Sequence, residues 1–406
     1  MQKSVQKDSK PSAKEESVVQ NSLFSGHFLG GGGELKLIPS IGLREEFNDN
    51  IFFTASDEVD DFITTLSPGL TFKERSERLN AEFSGKLGIL RYADNNELNA
   101  VDQDYLGSLG YQITPRLGMN ANGGYIKDHR TDRDILTTGL VQNSKPRKKY
   151  LANISGNYLT GETTASTLTY QFERSDYQDR EFSDSKIHSL NFGHTWNMSR
   201  FFKETIGRMN LGFARGEFET SKVKSFSGTA GAQWAFNELW SMVFDLGVRY
   251  TRTEFLELDI SNPFNPITRE SETEKWSGVG NAGIVYDGEF TSGNINFSHD
   301  VQEAGGRGGT ANRTALTCGF RRRFTEKFSG TFSAGYFQNK TDSGTVALED
   351  INERTWRIRP GIQYNFTKDI SFEAAYKYTE VNDRERNNVS TQNTVFARIF
   401  YQYPFP

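Results

Sequence analysis

The chain has 406 residues, 47 Lys and Arg against 52 Asp and Glu, a formal net charge of −5, and 35% hydrophobic and 13% aromatic residues. A balance this close to neutral gives no electrostatic case for a nucleic-acid partner. No stretch reaches the roughly 18 consecutive apolar residues of a membrane-spanning helix, and the hydrophobic share is low for a large soluble core.

Residues 1–33 are polar and close on the glycine run Gly30–Gly33. Such a segment buries too little apolar surface to offset its ordering entropy. It reads as a flexible tail, with a fold-back plug as the alternative. The opening Met1-Gln2-Lys3-Ser4 leads into no apolar h-region, so an export signal is expected to be absent from this sequence.

From Glu34 onward, apolar residues fall on every second position. Leu35, Leu37, Pro39, Ile41 and Leu43 alternate with Lys36, Ser40, Gly42 and Arg44. Leu79, Ala81, Phe83 and Leu87 alternate with Asn80, Glu82, Ser84 and Lys86. Trp240, Met242, Phe244, Leu246, Val248 and Tyr250 oppose Ser241, Asp245, Gly247, Arg249 and Thr251, and Trp356, Ile358, Ile362, Tyr364 and Phe366 oppose Arg357, Arg359, Gly361, Gln363 and Asn365. The last strand repeats this with Val395, Ala397, Ile399, Tyr401, Tyr403 and Phe405 on one face and Arg398 and Gln402 on the other. Period two over this length is a strand signal that a helix does not produce.

Tight connections, such as Thr114-Pro115-Arg116, Asn237-Glu238-Leu239 and Thr367-Lys368-Asp369, alternate with longer polar ones near 93–102, 129–147, 253–274, 302–311, 341–352 and 380–391. One short rim and one long rim describe an outer-membrane barrel with periplasmic turns and external loops. The expected fold is an all-β, transmembrane, antiparallel up-and-down barrel over residues 34–406. It has about 18 strands, 16 being the alternative, both termini on the short-turn side, and lipid as its surroundings. Aromatics near the strand ends, among them Tyr125, Tyr158, Trp196, Trp234, Trp240, Tyr250, Trp276, Tyr286, Tyr336 and Tyr376, fit two interfacial girdles.

Gly278-Val279-Gly280-Asn281-Ala282-Gly283 matches the dinucleotide fingerprint. No helix start follows it, so its glycines read as packing space in a strand, with no cofactor implied. No nucleophile elbow, zinc-protease motif or phosphate loop occurs. The single cysteine, Cys318, reads as a small apolar strand residue and excludes an intramolecular disulfide or cysteine-based metal site. His194 and His299 share the outward parity of their strands, so a Ser–His pair on the outer wall is the one enzymatic arrangement to look for. The loop Gly305-Gly306-Arg307-Gly308-Gly309 reads as an outer loop, not an RNA-binding segment.

The polar face becomes basic toward the C-terminus, with Arg321, Arg323, Arg357, Arg359, Lys377 and Arg398 and the counter-charge Glu373. Basic rings in a pore favour anions; neutralisation of these residues by neighbouring acids is the alternative.

Arg44-Glu45-Glu46-Phe47-Asn48-Asp49-Asn50-Ile51-Phe52, the second strand from Asp61 to Leu70 and the closing Phe396 to Phe405 resemble the family known as putative beta-barrel porin 2. The resemblance implies a Gram-negative outer-membrane barrel, often associated with exopolysaccharide production or export. The expected function is passive passage of small hydrophilic solutes or an anionic saccharide chain. The alternative is a sheath holding a periplasmic or lumenal partner, such as an export component or a cytochrome. Haem would then come from the partner, because the chain lacks a C-x-x-C-H site.

Overall fold

A computed structural model describes residues 34–405, apart from 136–137, 142–144, 179–181, 220, 260–266, 305–309 and 342–350. The tail 1–33, the segment 305–309 and Pro406 lie outside the described residues.

Eighteen strands follow one another: β1 (Glu34–Asn48), β2 (Asp61–Arg75), β3 (Leu79–Tyr92), β4 (Ala100–Thr114), β5 (Leu117–Asp128), β6 (Arg147–Leu159), β7 (Ala165–Tyr177), β8 (Ser185–Asn197) and β9 (Thr205–Phe218). The second half runs β10 (Ser221–Ala235), β11 (Trp240–Asp259), β12 (Ile267–Asp287), β13 (Thr291–Glu303), β14 (Thr310–Arg323), β15 (Phe328–Lys340), β16 (Asn352–Asn365), β17 (Ile370–Asp383) and β18 (Asn388–Gln402). Each pairs antiparallel with its sequence neighbours, and β1 pairs with β18 from Ser40↔Gln402 to Asn48↔Thr394, closing the sheet. Beyond β18, Phe405 and Leu37 exchange backbone hydrogen bonds at 2.8 and 3.3 Å, so both ends sit on one rim.

That rim carries the short turns, and side chains set them. Asn237 Oδ1 accepts from the N–H groups of Leu239 and Trp240, both at 2.9 Å, and Thr367 Oγ1 accepts from Asp369 and Ile370 at 3.1 and 3.0 Å. Such Asx- and Thr-based turns satisfy the backbone where the ladder stops. The opposite rim carries 49–60, 93–99 and 129–146. Two stretches expected there as long loops are extended strand. β11 and β12 stay in register out to Asp259↔Ile267, and β17 and β18 out to Asp383↔Asn388.

The outward face is apolar. Two sets of aromatic contacts bound it: Tyr105–Tyr125–Tyr150, Tyr250–Trp276 and Tyr336–Trp356 toward the long rim, and Trp240–Tyr286, Tyr364–Phe366 and Tyr403–Phe405 toward the short rim. About ten residues separate the two on one strand; at about 3.3 Å per residue and a tilt near 40° this spans roughly 25 Å, the height of a barrel's lipid-facing band. A closed even-numbered barrel with such a belt and girdles is an outer-membrane barrel. No helix among the described residues is long and apolar enough to cross a membrane.

Gly278–Gly283 lies inside β12, between Trp276 and Ile284, with no helix after it. Space is the reason for some of these glycines: a Cβ on Gly283 would meet Asn296 Oδ1 at 2.8 Å, although one on Gly278 would meet nothing within 4 Å.

Candidate functional site: a loop across the lumen

The connection from β5 to β6 folds into the barrel. Its neck is clamped by Arg147, whose guanidinium reaches Asp128 at 2.6 and 3.2 Å and Asp134 at 2.6 Å. Beside it, His129 Nδ1 lies 2.6 Å from Asp102 of β4. From the neck the loop reaches the far wall. Asn339 of β15 donates to the Thr138 carbonyl at 2.8 Å, and Thr355 of β16 donates to the Gly139 carbonyl at 2.5 Å. β5 and β6 stand across the ring from β15 and β16 in the strand order, so this segment crosses the lumen.

Apolar residues fix the crossing. Leu140 is fully buried with Ala304, Ala311 and Ile351, and Ile135 packs with Phe53 and Val381. Gly139 has a φ of +70°, and a Cβ there would collide with the Phe337 ring, so the close approach to β15 requires glycine.

Charges join the loop to β1 and β17. Arg130 donates to Glu46 at 2.5 Å and to Asp132 at 2.9 Å, and Asp132 pairs with Lys377. Burial pushes the Asp132 carboxyl up, but Arg130 and Lys377 outweigh it and hold it well below the ordinary carboxylate range. Burial likewise opposes the Arg130 charge, yet Asp132 and Glu46 raise its pKa well above the ordinary value.

The phrase Asn48 to Phe53 forms the ledge on which this loop rests. Asp49 accepts from the Asn393 backbone and side chain at 2.6 and 2.7 Å. Asn50 donates to the Thr391 carbonyl at 2.8 Å, and Gln392 donates back to the Asn50 carbonyl at 2.8 Å. With the first hairpin pinned over β18, the Ile51 carbonyl accepts from Thr131 of the loop at 3.0 Å.

The six basic residues expected to form one wall divide into three groups. Lys377 and Arg357 are buried, Lys377 against Asp132 of the loop. Arg357 makes no hydrogen bond through Nε. Arg359 and Arg398 share Glu373 at 2.5 and 2.6 Å. Arg321 donates to Gln363 at 3.0 Å, and Arg323 donates to the Glu289 carbonyl at 2.6 Å on the short rim. Arg44 joins the second group: its guanidinium sits 4.0 Å from the Phe396 ring, Arg359 lies 5.4 Å from the same ring, and Arg44 pairs with Glu46.

The outer wall does bring a serine and a histidine together. Ser166 Oγ is 2.9 Å from His194 Nδ1. The ring stacks beside Trp196 and Phe192, and among the described residues Ser166 is the hydrogen-bond partner the structure gives it, with no carboxylate or amide in the orienting position of a nucleophile–base–orienter set. His299 bonds Thr314 at 2.8 Å and His188 bonds Tyr170 at 2.7 Å. No group of three His, Cys, Asp or Glu among the described residues is arranged to hold a metal ion.

A family described as "Putative MetA-pathway of phenol degradation" matches residues 265–398, about a third of the chain. No curated protein matches the sequence. Among solved structures, the chain is similar to OpdK of Pseudomonas aeruginosa, crystallised with vanillate, at 10% identity and a TM-score of 0.46, covering 91% of this chain and 99% of that one. It is also similar to the ferric-catecholate receptor Fiu of E. coli K12, at 8% identity and a TM-score of 0.48 over 90% of this chain and 81% of that one. A third likeness is the alcaligin receptor FauA of Bordetella pertussis, at 8% identity and a TM-score of 0.42 over 90% and 76%.

Proposed function

We propose that the protein is a passive outer-membrane channel for small anions, with aromatic acids as the favoured class. The observation that carries this reading is the loop across the lumen, beside a wall that gathers Arg44, Arg130, Arg357, Arg359, Lys377 and Arg398 around the acids Glu46, Asp132 and Glu373. A hydrated lumen narrowed beside excess positive charge favours anions without a cofactor. Arg44 and Arg359 lie against the buried Phe396 ring, so an anion passing this wall would meet two guanidinium forks of the kind that bind carboxylates. The phenol-degradation description of the matching family is consistent with that class.

An anionic saccharide chain and a lumenal protein partner both fit less well, because the chain's own loop occupies the middle of the lumen. Conductance in a planar bilayer under a salt gradient tests the reading. Discrete steps with an anion-leaning reversal potential are expected, and Arg359→Ala with Arg398→Ala should move that potential toward cations. A reversal potential unchanged by the double substitution overturns the role of this wall.

A further inference from the structure

Above the outer girdle the outward face changes from apolar to charged, and on one part of the wall cations face cations. Lys127 and Lys148 stand one outward position beyond the Tyr125–Tyr150 ring pair, and Arg174 stands opposite Tyr150. Lys224 stands one outward position beyond Phe226, which faces Tyr250 of the Tyr250–Trp276 pair. Lys186 and Arg215 share the parity of the exposed Leu190 and Phe213. In register these residues meet two by two: Lys127↔Lys148 on β5–β6, Arg174↔Lys186 on β7–β8 and Arg215↔Lys224 on β9–β10. Three successive hairpins thus each set a cation directly opposite a cation.

Like charges directly opposite on one face of a sheet destabilise it. Nearby acids offset the repulsion only in part. Arg174 bonds Asp176 and Arg215 bonds Glu217, both at 2.7 Å, and Lys224 bonds Glu254 of β11 at 2.9 Å. Lys127, Lys148 and Lys186 make no ion pair among the described residues, although Asp176 lies opposite Lys148 and Glu217 opposite Lys186. Other hairpins at this height are built differently. Arg252 faces Glu274 on β11–β12, Gln338 faces Arg354 on β15–β16, and Glu380 faces Thr391 on β17–β18. Below the cations the same strands expose Ile154, Tyr170, Leu190, Phe213 and Phe226.

We propose that this outward crown of β5–β10 is a binding site for the phosphate groups of an outer-leaflet glycolipid. Its occupant has to neutralise cations that face sideways at the membrane interface, directly above an apolar wall. An anionic lipid brings both a charged head at that depth and chains for the wall beneath. Phosphate oxygens accept strong charge-assisted hydrogen bonds from Lys and Arg, and binding replaces cation–cation repulsion with attraction. The cation pairs recur every second strand, about 10 Å apart, so a headgroup with more than one phosphate bridges neighbouring hairpins. A soluble polyanion would use the charges and leave the apolar surface below them without a role. The site lies outside the barrel and is independent of what passes through the lumen.

Lys148→Gln combined with Lys186→Gln removes a cation without an ion pair from each of two neighbouring hairpins. The full chain in detergent micelles is titrated with diphosphorylated lipid A and with the same lipid stripped of phosphate, and the adducts are read by native mass spectrometry. Phosphate-dependent binding is expected. It should weaken on the order of tenfold in the double variant and stay unchanged in Arg252→Gln, at the same height in a hairpin of mixed charge. In lipid-free micelles the double variant should unfold at no lower temperature than the native chain, because it sheds repulsion; a lower temperature makes these lysines structural and overturns the site. Equal affinity for the two lipids, or for the native chain and the double variant, also overturns it. So does displacement of the lipid by an equal concentration of inorganic tripolyphosphate, which would make the crown a site for soluble polyanions. If the double variant does not refold, Lys127→Gln with Lys186→Gln gives the same comparison.

Discussion

Asp132 is the residue on which the loop's electrostatic anchoring turns, because it bonds both Arg130 and Lys377. Its carboxyl is held well below its ordinary pKa by those two cations, against burial. A depressed pKa contributes stability that is complete above the unfolded value, about 3.9, and that is lost as pH falls through the folded one. Conductance should therefore stay flat from neutral pH down to about 4 and rise only in stronger acid. A rise between pH 5 and 7 would contradict this assignment. Asp132→Asn leaves Lys377 buried without its counter-charge, a loss on the order of 3–5 kcal/mol for a buried pair. It should produce at neutral pH the noisier, larger conductance that the native chain shows only in acid. Gly139→Ala tests the apolar side of the same anchoring. The positive φ costs roughly 1–2 kcal/mol with a Cβ, and the Phe337 ring leaves no room for one. The expected result is a dislodged loop in an intact barrel, read as increased conductance with unchanged heat-modifiable migration in gel electrophoresis.

At the scale of the strand, alternation told most of the story, because it is local. Each lipid-facing run is written in consecutive residues, so the strand count and the parity of Arg357, Arg359, Lys377 and Arg398 could be read without a structure. The partners of those residues could not. Lys377 meets Asp132 across 245 positions, and Thr355 meets Gly139 across 216. The inward loop left one local trace: Ile135, Leu140 and Val141 are apolar residues in a segment otherwise read as solvated. The outer hairpins were missed for the opposite reason. Beyond the girdle both faces of a strand are polar, so alternation disappears although the ladder continues, as in the Arg252–Glu272 and Lys224–Glu254 pairs. The glycine run of β12 gives a prediction at this scale. A nucleotide loop would need its glycines for backbone conformation, whereas here only space matters. Gly278→Ala should leave stability unchanged. Gly247→Ala on β11, whose Cβ would strike the Gly228 carbonyl on β10, should lower the temperature at which the barrel unfolds in detergent. Equal effects would refute the packing account.

The whole molecule is defined by where lipid stops, and two residues of nearly equal exposure separate that property from simple burial. Leu246 of β11 is 68% exposed and Trp276 of β12 is 69% exposed. Leu246 lies between the two girdles, opposite Gly280, whereas Trp276 pairs with Tyr250 in the girdle itself. In a soluble sheet an arginine would be tolerated equally at either position. In a bilayer the cost depends on depth, roughly 2–4 kcal/mol at the midplane and about 0–1 kcal/mol near the interface. Leu246→Arg should thus shift reversible urea unfolding from vesicles by several times more than Trp276→Arg.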